Sequence, residues 1–402
     1  MTSSGRDRPI LATAVFAVLL AQVLLYPGVP DLVSAVGATT TLDASMWFLA
    51  AEFAAFVVCA GLWGAASDSF GKRGPFIAAG ALGGAVGYFA LALLPEAFSL
   101  SFGAVLAIRV FQGAMTIGAF SLAMTMLMDL EGGHGKNMGA AGIAIGLGTA
   151  VGAPLGGQLY GVGPLVPLYV AGVLLLCVAT LTPLLSDRAP STAERRVREA
   201  LATLADQPTL GVPYVFGFID RFTAGFFALV GTVYFQSEAG FGLDAGTTGM
   251  MLGLFFAPFA LLQYPFGVLS DRVGRTVPIV VGSALYGLAV VGVGLAPTVT
   301  TAGAAMVVVG VIGALMAPAT MALVTDLATE EGRGTAMAGF NIFGSLGFLA
   351  GIVIGGTVAD EMGFFAAFVV AGALETAIAL VSIPAFFKFD LGERGEGAVF
   401  GR

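Results

Sequence analysis

Three observations predict an all-α membrane protein with twelve transmembrane helices in two pseudo-symmetric six-helix bundles. Of the 402 residues, 57% are hydrophobic and only 10% are charged, whereas a soluble domain needs roughly 25% charged residues to cover its surface. Twelve apolar runs are long enough to cross a bilayer, which takes about 20 residues each. One short turn also occurs twice, as Gly64-Ala65-Ala66-Ser67-Asp68-Ser69-Phe70-Gly71-Lys72-Arg73 and as Gly267-Val268-Leu269-Ser270-Asp271-Arg272-Val273-Gly274-Arg275. In both copies an apolar run stops at an Asp, turns on a Gly, shows bases and enters the next run.

In the first half the runs fall near 10–29, 45–66, 75–94, 101–128, 138–160 and 165–185. In the second they fall near 211–236, 247–269, 276–296, 301–325, 336–358 and 364–387. They are numbered helices 1 to 12. The first follows Arg6 and Arg8 like a signal peptide, but it lacks a small-residue cleavage site and eleven more spans follow. Between helices 6 and 7, Ser191-Thr192-Ala193-Glu194 resembles a capping box. Val197, Ala200, Leu201 and Leu204 then follow at helical spacing, which predicts an amphipathic helix on the membrane surface. The expected division is a bundle over 1–185, a linker over 186–209, a second bundle over 210–388 and a tail over 389–402.

Charge sets the expected orientation. Of the 17 Lys and Arg residues, Arg109 and Arg221 lie within runs. All the others fall on the side shared by the N-terminus and the even-to-odd connections, sampled by Arg6, Lys72, Lys136, Arg195, Arg272, Arg333 and Lys388. The opposite loops carry Asp31, Asp43, Glu96, Glu238, Asp244, Asp360 and Glu361 and no base. The positive-inside rule then makes both termini cytoplasmic, in a multi-pass protein of the plasma membrane. Cys59 and Cys177 fall inside apolar runs, so neither a disulfide framework nor a metal site is expected. His134 sits in a polar loop and reads as a solvated residue.

The halves align: Asp68 with Asp271, Asp129 with Asp326, and Gly156-Gly157 with Gly355-Gly356, at offsets of 203, 197 and 199. Parallel repeats facing one another across a central cavity are a transporter plan. At these residues the chain resembles the major facilitator superfamily over essentially its whole length. The 64–73 turn, with Gly64, Asp68, Gly71, Lys72 and Arg73, resembles the family's motif A. Gly267, Asp271, Arg272, Gly274 and Arg275 resemble the second copy; Ser69 departs from the usual base. The resemblance implies a latch, with Asp68 and Asp271 each near a helix N-terminus of the opposite half, helix 2 beside 11 and helix 5 beside 8. Arg109, Gln112 and Gly113 in helix 4 resemble motif B, with Met115 a departure. Gly139, Gly148, Gly152, Gly156 and Gly157 in helix 5 resemble motif C of drug:proton antiporters, with Pro154 displaced by one from its usual place. These glycines are expected to pack helix 5 on helix 8, and the antiporter pattern implies export.

Five charges lie within spans: Glu52, Arg109, Asp220, Arg221 and Glu375. Glu52 and Arg109 differ in depth by roughly 3 Å at 1.5 Å per residue, so they are expected to pair. Arg221 is expected to pair with Asp220 or Glu375. Three acids against two bases leave one carboxylate over, and in a poorly hydrated cavity such a group takes up a proton readily, because desolvation disfavours its charged form. Asp220 is the expected proton carrier, since the resemblance makes helix 7 cavity-lining and helix 12 peripheral. Gln22, Tyr26, Gln112, Phe216, Phe226, Phe227, Tyr234 and Asn341 are the other cavity candidates. Few fixed polar groups among aromatics suit a small hydrophobic or amphipathic substrate better than a sugar. Proton-coupled efflux is therefore the leading expectation, and metabolite uptake by a symporter or facilitator is the alternative. No nucleophile–base pair within spans favours an enzyme, and no phosphate-binding loop favours a nucleotide-driven pump. The expected partners are a small molecule, protons and the bilayer, with no cofactor, no metal and no nucleic acid, for a monomer.

Overall fold

The computed structural model describes residues 3–39, 41–131, 134–186, 207–329 and 332–397. Twelve spans within these residues are long and apolar enough to cross a membrane. They are α1 (Arg6–Ala35), α2 (Leu42–Phe70), α3 (Gly74–Phe98), α4 (Phe102–Met128), α5 (Gly139–Tyr160) and α6 (Val166–Leu184). The second set is α7 (Pro208–Gln236), α8 (Ala245–Val273), α9 (Thr276–Gly294), α10 (Val299–Leu327), α11 (Thr335–Met362) and α12 (Phe364–Pro384). The amphipathic linker helix and its capping box lie outside the described residues.

Local chemistry explains the helix ends. Gly71 and Gly274 close α2 and α8 at positive φ, +62° and +87°, a conformation that costs a side chain but not glycine. Ser101, Asp244 and Thr298 cap α4, α8 and α10 through their side-chain oxygens. The Thr247 backbone N–H, bonded to Asp244, holds that carboxyl below its ordinary range. The first span runs further than the hydropathy expects, to Ala35, and is interrupted by a tight turn at Tyr26–Gly28. Pro27 and Pro30 each fall in the first turn of a new helical segment, where a missing N–H costs nothing. At this break the Leu25 carbonyl accepts from Tyr160 Oη of α5 at 2.9 Å. The Pro27 carbonyl accepts from Gln236 Nε2 of α7.

Helix pairings repeat after a shift of six. In the first bundle α1 packs on α5, α2 on α4, α3 on α4 and α3 on α6; in the second α7 packs on α11, α8 on α10, α9 on α10 and α9 on α12. The bundles meet through two symmetry-related pairs, α5 with α8 and α2 with α11. Close approach requires glycine at the first pair: a Cβ on Gly157 would lie 2.4 Å from the Ala245 carbonyl oxygen. Contacts between α5 and α8 extend from there to Gly146 and Ala260. Further toward the basic turns, Gly64, Gly139 and Gly142 have nothing within 4 Å of a Cβ position, and Gly267 meets only Pro318 of its own bundle. The bundles are thus closed together at the acidic side and parted at the basic side. Cys59 and Cys177 are unbonded.

Since twelve consecutive spans put both basic turns on one face, single cysteines at Lys72 and Gly274, in a chain with Cys59 and Cys177 replaced by serine, should react with an impermeant maleimide from the same side. Labelling from opposite sides would contradict the architecture.

Candidate functional site

Two buried polar clusters lie within the spans, one in each bundle. In the first, Arg109 of α4 and Glu52 of α2 are both fully buried, with Arg109 Nη2 donating to Glu52 Oε2 at 2.6 Å. Arg109 Nη1 donates to Gln112 Oε1 at 2.6 Å. Gln112 Nε2 donates to Thr116 Oγ1 at 2.8 Å and to Glu52 Oε1 at 3.2 Å. The guanidinium also stands 4.5 Å from the centre of the Phe48 ring, where the ring's negative face attracts it. Arg109, Gln112 and Gly113 have the i, i+3, i+4 spacing of one helix face. Gly113 lets the α2 backbone come close, since a Cβ there would lie 2.9 Å from the Glu52 carbonyl oxygen. Gln22 and Tyr88 turn toward Glu52 from α1 and α3. Neither meets hydrogen-bond geometry: Gln22 Nε2 and Tyr88 Oη are buried without a partner.

The second cluster has acids but no paired base. Glu375 of α12 is fully buried. Its Oε1 accepts from Ser283 Oγ of α9 at 2.6 Å, and its Oε2 accepts from Thr223 Oγ1 of α7 at 3.1 Å. Asp220 of α7 is 8% exposed and makes no hydrogen bond or ion pair among the described residues. The expected pairing of Arg221 with Asp220 or Glu375 is corrected. Arg221 is exposed and lies against Gly344 of α11, its Cγ 3.2 Å from a Cβ position there. Successive residues point about 100° apart around a helix, so Asp220 and Arg221 serve different faces of α7. From α12, which packs mainly on α9, the Glu375 carboxylate is directed into the bundle.

The repeated turns form matching ion triads within each bundle. Arg73 bridges Asp68 at 3.9 Å and Asp129 at 2.5 Å. Arg275 bridges Asp271 and, at 3.0 Å, Asp326. Burial alone would lower the Arg275 proton affinity, but hydrogen bonds to Asp271 and Asp326 outweigh it and hold the guanidinium above its ordinary value. The ion pairs of Asp68 and Asp271 lie within their own bundles, and Lys72 and Arg272 are exposed. Asp129 and Asp326 complete the triads, a role their matching places in the two halves signalled without defining.

The glycine stripe also serves a different neighbour from the one expected. Gly148, Gly152 and Gly156, four residues apart, face α1 at Leu19, Val23 and Leu24. Of these motif glycines Gly157 faces α8, with Pro154 against Gly253 and Gly146 against Ala260 alongside, while Gly139 has nothing within 4 Å of a Cβ position. Among the cavity candidates, Phe216, Phe226 and Phe227 are fully buried in packing rather than lining an open wall. Tyr234 is enclosed by Phe235, Phe241, Phe364 and Phe368, and Gln22 and Tyr26 are buried. Asn341 is exposed on α11, one turn before Gly344 and Arg221. The aromatic closure between the bundles is instead Phe53 of α2 stacked on Phe348 of α11, with ring centres 4.1 Å apart, and Tyr26 at 6.2 Å from Phe348. Hydropathy alone gives no sign of which phenylalanines face the other bundle.

Paired six-helix bundles meeting at two symmetry-related contacts, with polar clusters at mid-membrane, are the architecture of a secondary transporter. The family model for the Major Facilitator Superfamily matches residues 11–240 and 214–397. The chain belongs to that superfamily, and it is a multi-pass membrane transporter, not an enzyme. It is similar to the multidrug resistance protein MdtG of Enterobacter lignolyticus, 24% identical over 86% of this chain and 84% of that one. It is 28% identical to the class G tetracycline resistance protein of Vibrio anguillarum, over 58% of this chain and 59% of that one. An uncharacterized MFS-type transporter of Methanocaldococcus jannaschii is 30% identical over 42% of this chain, and the chain spans only 44% of that relative's length. Among solved structures, the nucleoside transporter NupG superposes with a TM-score of 0.74 at 12% identity, covering 94% of this chain and 99% of that one.

Breaking a buried ion pair by removing one partner costs about 3–5 kcal/mol. Arg109→Leu should therefore lower the thermal stability of the detergent-purified protein sharply, and Glu52→Leu in the same chain should restore part of the loss. An unchanged melting temperature for Arg109→Leu would show that the pair is not structural.

Proposed function

We propose that the chain is a secondary active transporter of the plasma membrane that works by alternating access and couples proton entry to efflux of small hydrophobic or amphipathic compounds. The bundles over 1–185 and 210–388 rock against each other, joined by the 186–209 linker, in a monomer whose two termini and 389–402 tail are cytoplasmic. The distribution of bases supports that orientation. In it, the parted side faces the cytoplasm and the stacked Phe53 and Phe348 close the way out. Relatives named for multidrug and tetracycline resistance support export.

The observation that carries proton coupling is Asp220, an acid at mid-membrane with no base bonded to it. An intramembrane ionisable group without a counter-charge is costly and is commonly functional. Protonation removes that cost, and a change of access lets the proton leave on the other side.

One observation favours the second reading, symport or facilitated uptake of a metabolite. Arg221, exposed against Gly344 of α11, suits a substrate with a negative group. A negative group bound there would offset the Arg221 charge that acts on Asp220 and so favour the protonated acid, and substrate and proton would move together.

Purified protein in liposomes loaded with a candidate compound and then diluted separates the readings. Exit of the compound by antiport draws protons in and acidifies the lumen; symport makes the lumen alkaline, and a facilitator leaves pH unchanged. Asp220→Asn should keep downhill exit while abolishing the pH change. A full pH change in Asp220→Asn would remove that residue from the coupling step.

A further inference from the structure

The acids of the second bundle share one polar environment. Asp220 and Thr223 stand one turn apart on α7, and Ser283 and Tyr286 one turn apart on α9, so each pair lies on one helix face. Thr223 and Ser283 both donate to Glu375. Tyr286 Oη is buried with no hydrogen-bond partner, and it is near enough to Asp220 and Glu375 to feel both. The span α12 packs on α9, α11 and α7. From α7, Asp220 acts on Glu375; both acids act on Tyr286 of α9, and Arg221 acts on Asp220 from the next position of α7. The charged residues of α11, Asp360 and Glu361, lie at its far end, and Arg333 lies just before its start. Arg221 is directed onto α11 rather than toward α12. Among the described residues, no cation bonds to Glu375. A carboxylate held in this way is far costlier than the neutral acid, while a hydroxyl can accept one proton and release its own.

We propose that Asp220 and Glu375 form a single two-carboxyl proton site, with Thr223 bonded to Glu375 one turn from Asp220, Asp220 as the less buried member that exchanges protons and Glu375 as the interior member that holds the proton. This rests on the proton-coupled reading of Asp220 and extends it to a second acid on another helix. A proton arriving from cavity water turns the Asp220 carboxylate into the acid. When access changes the acid gives that proton to the other side and becomes the carboxylate again, while Glu375 keeps its own proton among the hydroxyls of Thr223 and Ser283. Charge and protons balance with no other reactant. Two carboxyls in mutual reach titrate as a pair, so the site keeps at least one proton while Asp220 exchanges with the cavity.

Infrared difference spectra of the full-length protein in liposomes, taken between acid and alkaline pH in water and in heavy water, test this without a known substrate. The wild type should show two carboxylic-acid carbonyl bands sensitive to deuterium: one that titrates and is absent from Asp220→Asn, and one that persists to alkaline pH and is absent from Glu375→Gln. Ser283→Ala should shift the persistent band without removing it, which a merely structural role for the serine would not do. If Glu375 gives only carboxylate bands at every pH, the two-carboxyl site is overturned while coupling at Asp220 stands. If the titrating band survives in Asp220→Asn, the coupling reading falls as well.

Discussion

A charge placed at mid-membrane must be satisfied by the protein itself, because lipid offers neither water nor counter-ions. This structure meets the requirement in two ways. In the first bundle Arg109 and Glu52 neutralise each other, and Gln112 with Thr116 takes up the remaining polar capacity. In the second, Glu375 has only hydroxyl partners and Asp220 has none. One bundle therefore holds an ion pair that joins α2 to α4, and the other holds acids with no arginine bonded to them among the described residues. The difference between the bundles follows from which acids are bonded to an arginine among the described residues.

The symmetry of the fold makes this asymmetry visible. Helix pairings and the Asp–Arg–Asp triads at the basic turns repeat from one bundle to the other. The mid-membrane clusters do not. What was duplicated is the frame, and what differs between the copies is the chemistry at its centre.

The frame was readable in the sequence because hydropathy sets span length and basic residues mark one face. The twelve spans and the repeated Gly turns follow from those two signals. The Glu52–Arg109 pair followed from depth alone, since both lie at nearly the same level of neighbouring helices. Rotation was harder to read. Arg221 was expected to meet an acid, but depth says nothing of the direction a side chain takes around its helix. The same gap hid the neighbour of the glycine stripe, which faces α1, and the burial of Phe216, Phe226 and Phe227. The latch was legible as a motif, but whether it is engaged depends on the state of the bundles, which no local pattern records.

The break in α1 has a consequence for opening the acidic side. Its carbonyls at Leu25 and Pro27 are held by Tyr160 and Gln236 from two other helices. An interruption that would weaken a lone helix here acts as adhesive between three. Gln236 belongs to the opposite bundle, so separating that end strips the Pro27 oxygen of its bond and requires water to replace it. Opening of this gate is accordingly a wetting event, and its rate should depend on how readily water enters a crevice otherwise lined by aromatic rings.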